Sequence, residues 1–312
     1  MTATSRSRDL IAGVASILLL AGSTGCSMSK LVANQTAGMV RDGAPALDAL
    51  GDYELAVQGI PGGIVQLETF YHISPDNPDL GLNLAKAYVG YALASVEHQY
   101  EVQDAAGNMD AADELRARAR FLYLRARDIG LHQLNVKKKG VDAAVKGGEA
   151  DLTKYLQKFK SKHDAPALFW AGSAWGAAID MSRDQPDLIV DLPLAKALVQ
   201  RAFELDESFY HFGPGMFLGA ANSALPEAMG GNPTLGKQFF DTALEKSGRK
   251  NLIIQFQMAR TYAVNTQNKE LFDKLIKEIL DAPDYGDEFR LPNLIAKHRA
   301  KFYQETKGPA LF

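Results

Sequence analysis

The sequence predicts an all-α chain built as a solenoid of tetratricopeptide-like helix pairs, each pair antiparallel. Three observations carry that expectation. Ala, Leu, Lys, Glu and Gln dominate, and apolar residues recur at three- and four-residue spacing. No convincing run of alternating β-branched residues interrupts them. Small residues also return where the two helices of a repeat would cross closely. A single pair cannot bury its apolar face, so the pairs are expected to stack on their neighbours.

The N-terminus reads as an export segment. Arg6 and Arg8 precede the apolar run Leu10 to Gly22, which leads into the small residues and lone cysteine of "STGCS". A basic start, a short apolar stretch and small residues at the cleavage zone describe a signal peptide, residues 1–25. The run is shorter than the roughly 20 apolar residues a bilayer span needs. Cys26 stands where a bacterial lipoprotein carries its acyl chains, although Ser23 occupies a position where that pattern usually has Leu. The expectation is a lipid-anchored protein on the periplasmic side of the cell envelope, with Ser27 favouring the outer membrane. Residues 26–43 then form a lipidated linker, 44–305 the helical domain and 306–312 a tail. Beyond Cys26 the chain has no cysteine, so disulfides and thiolate metal sites are not available to it.

The helical domain opens with a first-helix signature, Ala85 three residues before Tyr88. A second-helix pattern follows at Ala117, Phe121 and Leu124, in an arginine-rich helix. The basic stretch from Lys137 to Lys162 reads either as a solvated linker and helix or as a surface for anionic lipid or an acidic partner. Next comes "ALFWAGSAWGAAID", where Phe169, Trp170 and Trp175 alternate with small residues. It reads either as the wall of a ligand channel or as a closely crossed core helix. In "LAKALVQRAFEL", Ala195, Val199, Ala202 and Phe203 match the second-helix pattern, and Gly236, Phe240, Ala243 and Leu244 match it again. Between them "SFYHFGPGMF" places Tyr210, His211 and Phe212 at an expected helix-to-helix corner, a candidate partner or ligand surface. Ala259 and Tyr262 repeat the first-helix signature, and "NKELFDKLIKEIL" closes the series with an amphipathic helix.

Several function classes find no support. "GGNPTLGK" resembles a phosphate-binding P-loop but has no strand before it and Gln238 after its lysine, where a Mg²⁺-binding hydroxyl is needed. Asn232 as a helix cap and Pro233 in a first turn make it an inter-helix turn, with Gly230 and Gly231 ending the previous helix. The six histidines show no zinc-ligand spacing, so neither metal nor cofactor is expected. His98 beside Glu97, and the acidic residues generally, read as solvent-facing. No nucleophile elbow or persuasive carboxylate pair suggests an enzyme. A net charge of -3 carries no nucleic-acid signature.

The stretch "ALPEAMGGNPTLGKQFFDTALEKSGRKNLIIQFQMARTYAV", with "NKELFDKLIKEILDAPD", "LPNLIAKHRAKFY" and "ALFWAGSAWGAAID", resembles the T component associated with TRAP transporters, the TatT family. The resemblance runs from about Leu47 to Tyr303. It implies a tetratricopeptide-like periplasmic lipoprotein that forms a trimer with a pore. It also implies association with a TRAP-type solute-binding protein and delivery of a small apolar or organic-acid ligand toward a permease. The alternative is a tetratricopeptide scaffold lipoprotein that helps assemble an outer-membrane or pilus machine.

Overall fold

A computed structural model describes residues 24–182, 185–225, 227 and 231–312. The expected signal segment up to residue 23, the side chain of Cys26, and Gly230 lie outside what is described. Among the described residues the regular structure is helical throughout. No helix among them is long and apolar enough to cross a membrane.

The chain begins with α1 (Thr24–Asp48), which occupies the stretch expected to be a linker. It is helical because Ala33 and Ala37, one turn apart, seat against the body. Asn34 also accepts hydrogen bonds from the Ser74 hydroxyl and the Asn77 amide, at 2.7 and 2.9 Å. Two small apolar residues in a polar stretch give little sequence signal, yet they suffice to dock one face.

Next come α2 (Tyr53–Ile73), α3 (Pro78–Tyr91) and α4 (Glu97–Ala105), the last two joined by a π-helical turn over Ala92–Val96. The long α5 (Met109–Lys137) is followed by the short α6 (Val141–Lys146) and α7 (Glu149–Leu156). Within the basic stretch the expected helix is present, and Leu152, Tyr155, Leu156 and Phe159 are all buried. The central layer is α8 (Ala165–Asp180), α9 (Leu192–Leu205), α10 (Phe209–Ser223) and α11 (Pro233–Lys246). Then α12 (Leu252–Met258) runs into a second π turn, Ala259–Ala263. The chain ends with α13 (Lys269–Asp281), α14 (Asp287–Phe302) and a third π turn, Tyr303–Lys307.

Side-chain caps start many of these helices. Asp52, Asn77, Asn232 and Asn268 each accept from a backbone N–H in the first turn of the helix that follows. Glycines set the close crossings. A Cβ on Gly130 of α5 would lie 2.8 Å from the Cα of Ala171 in α8, and one on Gly172 would lie 2.6 Å from Val199 in α9. The small residues of "AGSAWGAA" are thus spent on bringing α8 against both neighbours.

The longer helices pack in series, α5 on α8 across the short α6 and α7, then α8 on α9, α9 on α10 and α10 on α11. One second-helix signature is misplaced. Ala117 and Phe121 face solvent, Phe121 being 66% exposed, whereas Ala119, Leu122, Tyr123 and Ala126 form the buried stripe of α5. The patterns at Ala195, Val199 and Ala202 and at Gly236, Phe240, Ala243 and Leu244 are buried as expected.

A linear solenoid has contacts only between neighbours. Here α14 also packs on α1 and α2 near the other end of the chain, and the Arg290 guanidinium donates to the Ala49 carbonyl at 3.1 Å. The expected tail is docked too, with the Phe312 ring 5.2 Å from that of Phe272.

Candidate functional site

The candidate aromatics from α8 and α10 come together at one corner. Phe209 ends the connection from α9, and Tyr210, His211 and Phe212 then all take left-handed backbone angles, with φ of 48°, 54° and 67°. The right-handed part of α10 begins at Gly213, with Pro214 suited to its first turn. Left-handed residues other than glycine cost roughly 1–2 kcal/mol each and normally occur singly. Three in a row persist only where the surroundings fix them.

Those surroundings are visible. Tyr210 packs edge-on to Trp170 at 4.9 Å, and Phe169 lies against both Trp170 (4.9 Å) and Phe209 (5.5 Å). Gly213 is needed because a Cβ there would come within 2.8 Å of the Phe169 ring. The Lys86 ammonium of α3 sits 5.2 Å from the centre of the Tyr210 ring and pairs with Asp48 of α1 at 2.8 Å. Burial works against the Lys86 charge, but Tyr210 and Asp48 outweigh it and hold its pKa above the usual lysine range. His211 rests on Phe289 of α14 at 4.6 Å, and its carbonyl accepts from the Asn251 amide at 3.0 Å. Burial pulls the His211 pKa down, so the ring is neutral near pH 7. The Phe212 side chain packs into the other apolar core, the one built by α11 to α14. The corner therefore joins the two cores, with α1, α3, α8 and α14 all converging on it.

The site residues divide by exposure. Phe169, Trp170 and Trp175 are buried, the indoles at 5% and 2% exposure. Tyr210, His211 and Phe212 are partly buried. Trp175 does not join the corner. It faces α5, with the Arg127 guanidinium 5.1 Å from its ring, and its buried N–H has no partner among the described residues.

A second feature was not legible as a site at all. Glu97 and Glu101, taken from the sequence as solvent-facing, are almost fully buried. The Arg299 guanidinium of α14 donates to Glu97 at 2.8 Å and to Glu101 at 2.5 Å. Arg260 adds a bond to Glu97 at 2.9 Å. The hydroxyls of Tyr123 and Tyr303 donate to Glu97 and Glu101, each at 2.7 Å. Burial alone would raise the Glu97 pKa, but Arg299 and Arg260 outweigh it and bring it to about 2. The expectation failed because the cationic partners lie about 160 and 200 residues away along the chain. His98 is likewise not a surface residue. Its Nε2 lies 3.1 Å from that of His298, which stacks on Tyr53. Burial, then the Arg299 charge and His298, lower the His98 pKa to about 4.

All three π turns border this network. One leads directly into Glu97, one contains Arg260, and one begins at Tyr303. Such turns add a residue to the helix and re-aim the side chains around them. They align the Glu97, Arg260 and Arg299 elements into one polar clasp that fastens α14 to α4.

The described part of the P-loop-like stretch, from Gly231 on, leads into a helix start. The Asn232 side chain accepts from the Leu235 N–H at 3.0 Å, Pro233 opens α11, and Lys237 is paired with Asp241 at 2.6 Å. Among the described residues no cluster of three or more His, Cys, Asp or Glu has the arrangement of a metal site.

A family model described as TRAP transporter T-component matches residues 51–308. A Treponema pallidum (strain Nichols) protein described only as uncharacterized is 24% identical over 255 residues, spanning 80% of this chain and 78% of its own.

Proposed function

The chain belongs to the TRAP transporter T-component family, and from that membership we propose that it is a lipid-anchored periplasmic accessory of a TRAP-type system. In this reading Cys26 carries the acyl anchor after removal of the signal peptide, and Ser27 after it favours the outer membrane. The helical domain, a tetratricopeptide-like array, docks a periplasmic solute-binding protein and passes on a small apolar or organic-acid ligand. It works as a homotrimer and performs no catalysis.

The observation that carries the docking step is the left-handed corner Tyr210–Phe212. Strained backbone at a partly exposed aromatic cluster is a feature found at recognition and other functional sites. Aromatic residues that are partly exposed and rigidly held also suit a contact surface. The corner is fixed from α1, α3, α8 and α14 together, so a partner bound there meets a pre-organised surface.

The test is capture of a periplasmic TRAP-type solute-binding protein from the same organism, using the mature chain with Cys26→Ser. Wild type is expected to retain it, and Tyr210→Ala to weaken retention about tenfold or more while melting within a few degrees of wild type. Equal retention by both proteins would remove the corner from the interface. No retention by either would remove the docking reading itself and leave the scaffold alternative. Sedimentation of the same protein at tens of micromolar reads the oligomer, and a monomer throughout would reject the trimer.

A further inference from the structure

The lysine-rich stretch takes no part in either the aromatic corner or the clasp. From Lys137 to Lys162 it holds eight lysines against three carboxylates, in a chain whose net charge is -3. Lys137 is paired, with Asp164 at 3.0 Å. The other seven are exposed, and among the described residues no carboxylate comes within 4.0 Å of their ammonium groups. Folding gathers them in one place. The Tyr155 hydroxyl donates to the Lys138 carbonyl, the Lys158 ammonium lies 4.7 Å from the centre of the Tyr155 ring, and Lys137 donates to the His163 carbonyl at 2.9 Å. Lys138, Lys139, Lys158, Lys160 and Lys162 are thus held around the C-terminal end of α5.

The start of α1 lies at the same end of the molecule. Asn34 of α1 bonds Ser74 and Asn77 in the turn between α2 and α3. That turn also holds the last turns of α5, through Gln133 on the Pro75 carbonyl at 2.7 Å and His132 beside Asp76 at 3.0 Å. From there α1 runs with α3, Asp48 reaching Lys86, and α5 runs against it, Arg118 reaching Tyr91. The first residues of α1 and the last of α5 therefore project past the turn together. Position 26 is about 12 Å of helix beyond Asn34, and Lys137 is one turn beyond Gln133. The same part of α1 exposes apolar side chains, Met28, Leu31 and Val32, at 60%, 52% and 49%.

From this we propose that this end of the molecule lies on a bilayer containing anionic phospholipid. The lysines meet the headgroups, and Met28, Leu31 and Val32 enter the boundary between headgroups and acyl chains. An acidic protein is the weaker match. Protein interfaces are enriched in arginine and depleted in lysine, and the rigid fork that reads a single carboxylate belongs to arginine. All the cations of the stretch are lysines, compact charges suited to a diffuse field of phosphates. A polybasic surface also supplies the second signal that strengthens attachment through an acyl chain. The anchored orientation rests on Cys26 being acylated, whereas the bilayer contact itself can be measured on a chain without acyl groups.

The probe is a vesicle of phosphatidylglycerol and phosphatidylcholine, in a ratio of about one to two, co-sedimented with the mature Cys26→Ser chain. Vesicles of phosphatidylcholine alone are the reference. At low salt the anionic vesicles are expected to bind at least about 100-fold more strongly, and about 0.5 M salt should remove most of that preference. Lys138→Gln, Lys139→Gln, Lys158→Gln and Lys160→Gln together should lower anionic-vesicle binding about 100-fold. Removing the same charge from α11 and α13, with Lys237→Gln, Lys269→Gln, Lys274→Gln and Lys277→Gln, should change it by less than about threefold. Both native tryptophans are buried, so in Met28→Trp the added indole should shift to the blue on anionic vesicles and be quenched by brominated lipid. No preference for anionic vesicles, equal loss in the two quadruple variants, or an unshifted emission in Met28→Trp overturns the proposal. Acyl chains missing from Cys26 of the native protein, read by mass, would instead overturn the anchoring and leave the bilayer contact standing.

Discussion

His211 shows most clearly how one residue can carry information that its neighbourhood imposes. Its left-handed backbone (φ 54°) is unfavourable, its ring contacts Phe289, and its carbonyl is held by Asn251. Replacement by glycine would lose the ring contact and remove the strain, two effects of about 1 kcal/mol that oppose each other. His211→Gly should therefore unfold in urea within about 1 kcal/mol of wild type. His211→Val loses the ring and adds a β-branched side chain where left-handed geometry is least tolerated, so it should cost about 2 kcal/mol or more. Equal stability of the two variants would show that the corner relaxes. The sequence placed a corner at Tyr210–Phe212 because Gly213, Pro214 and Gly215 stand beside it. It did not reveal the left-handed run, since no glycine occupies the three positions that need it. Burial of Phe169 and Trp170 was similarly ambiguous. "LFWAGSAWGAAI" looks alike whether its indoles line a channel or a core, and here Phe169 and Trp170 are buried and pack against Tyr210.

At the scale of elements, the clasp between α4 and α14 depends on ionised carboxylates. Glu97 has a folded pKa of about 2 against an ordinary glutamate value near ~4.3. A depressed folded pKa means that the folded state favours the ionised form. Its stabilisation is therefore present above the unfolded pKa and is lost as pH falls from about 4.3 toward 2. Acid denaturation of wild type should steepen across that window, and Glu97→Gln, already less stable at pH 7, should show a shallower slope there. Parallel slopes would place the acid sensitivity elsewhere. Periodicity could have hinted at this element, since Glu97 and Glu101 are one turn apart on α4 and share a face. What it could not supply is the identity of the opposite wall. Helix amphipathicity reports which face is apolar, and a buried polar face with distant cations has the same appearance as a solvated one. Helices such as α9, α11 and α13 were legible because their buried stripes are plain Leu, Ile, Phe and Ala.

Closure is a property of the whole molecule, and it changes how the molecule should fail. In an open array, losing a contact at the last helix affects that helix and its neighbour. Here Arg299 of α14 reaches Glu97 and Glu101 of α4, Arg290 reaches Ala49, and His298 reaches His98 and Tyr53. Breaking a buried ion pair by deleting one partner costs about 3–5 kcal/mol, because the other charges stay buried without compensation. Arg299→Met keeps the bulk of the side chain and leaves Glu97 and Glu101 facing each other with only Arg260, Lys307 and two tyrosines nearby. The consequence should appear at both ends of the chain together. Amide hydrogen exchange in Arg299→Met is expected to quicken in α3 and α4 as strongly as in α14, some 200 residues away. The intervening α8 and α9, packed through Gly130 and Gly172, should keep more of their protection. Quickening confined to α13 and α14 would instead describe a stack whose last pair frays independently. In that case the contacts of α14 with the N-terminal helices would add little to the stability of those helices.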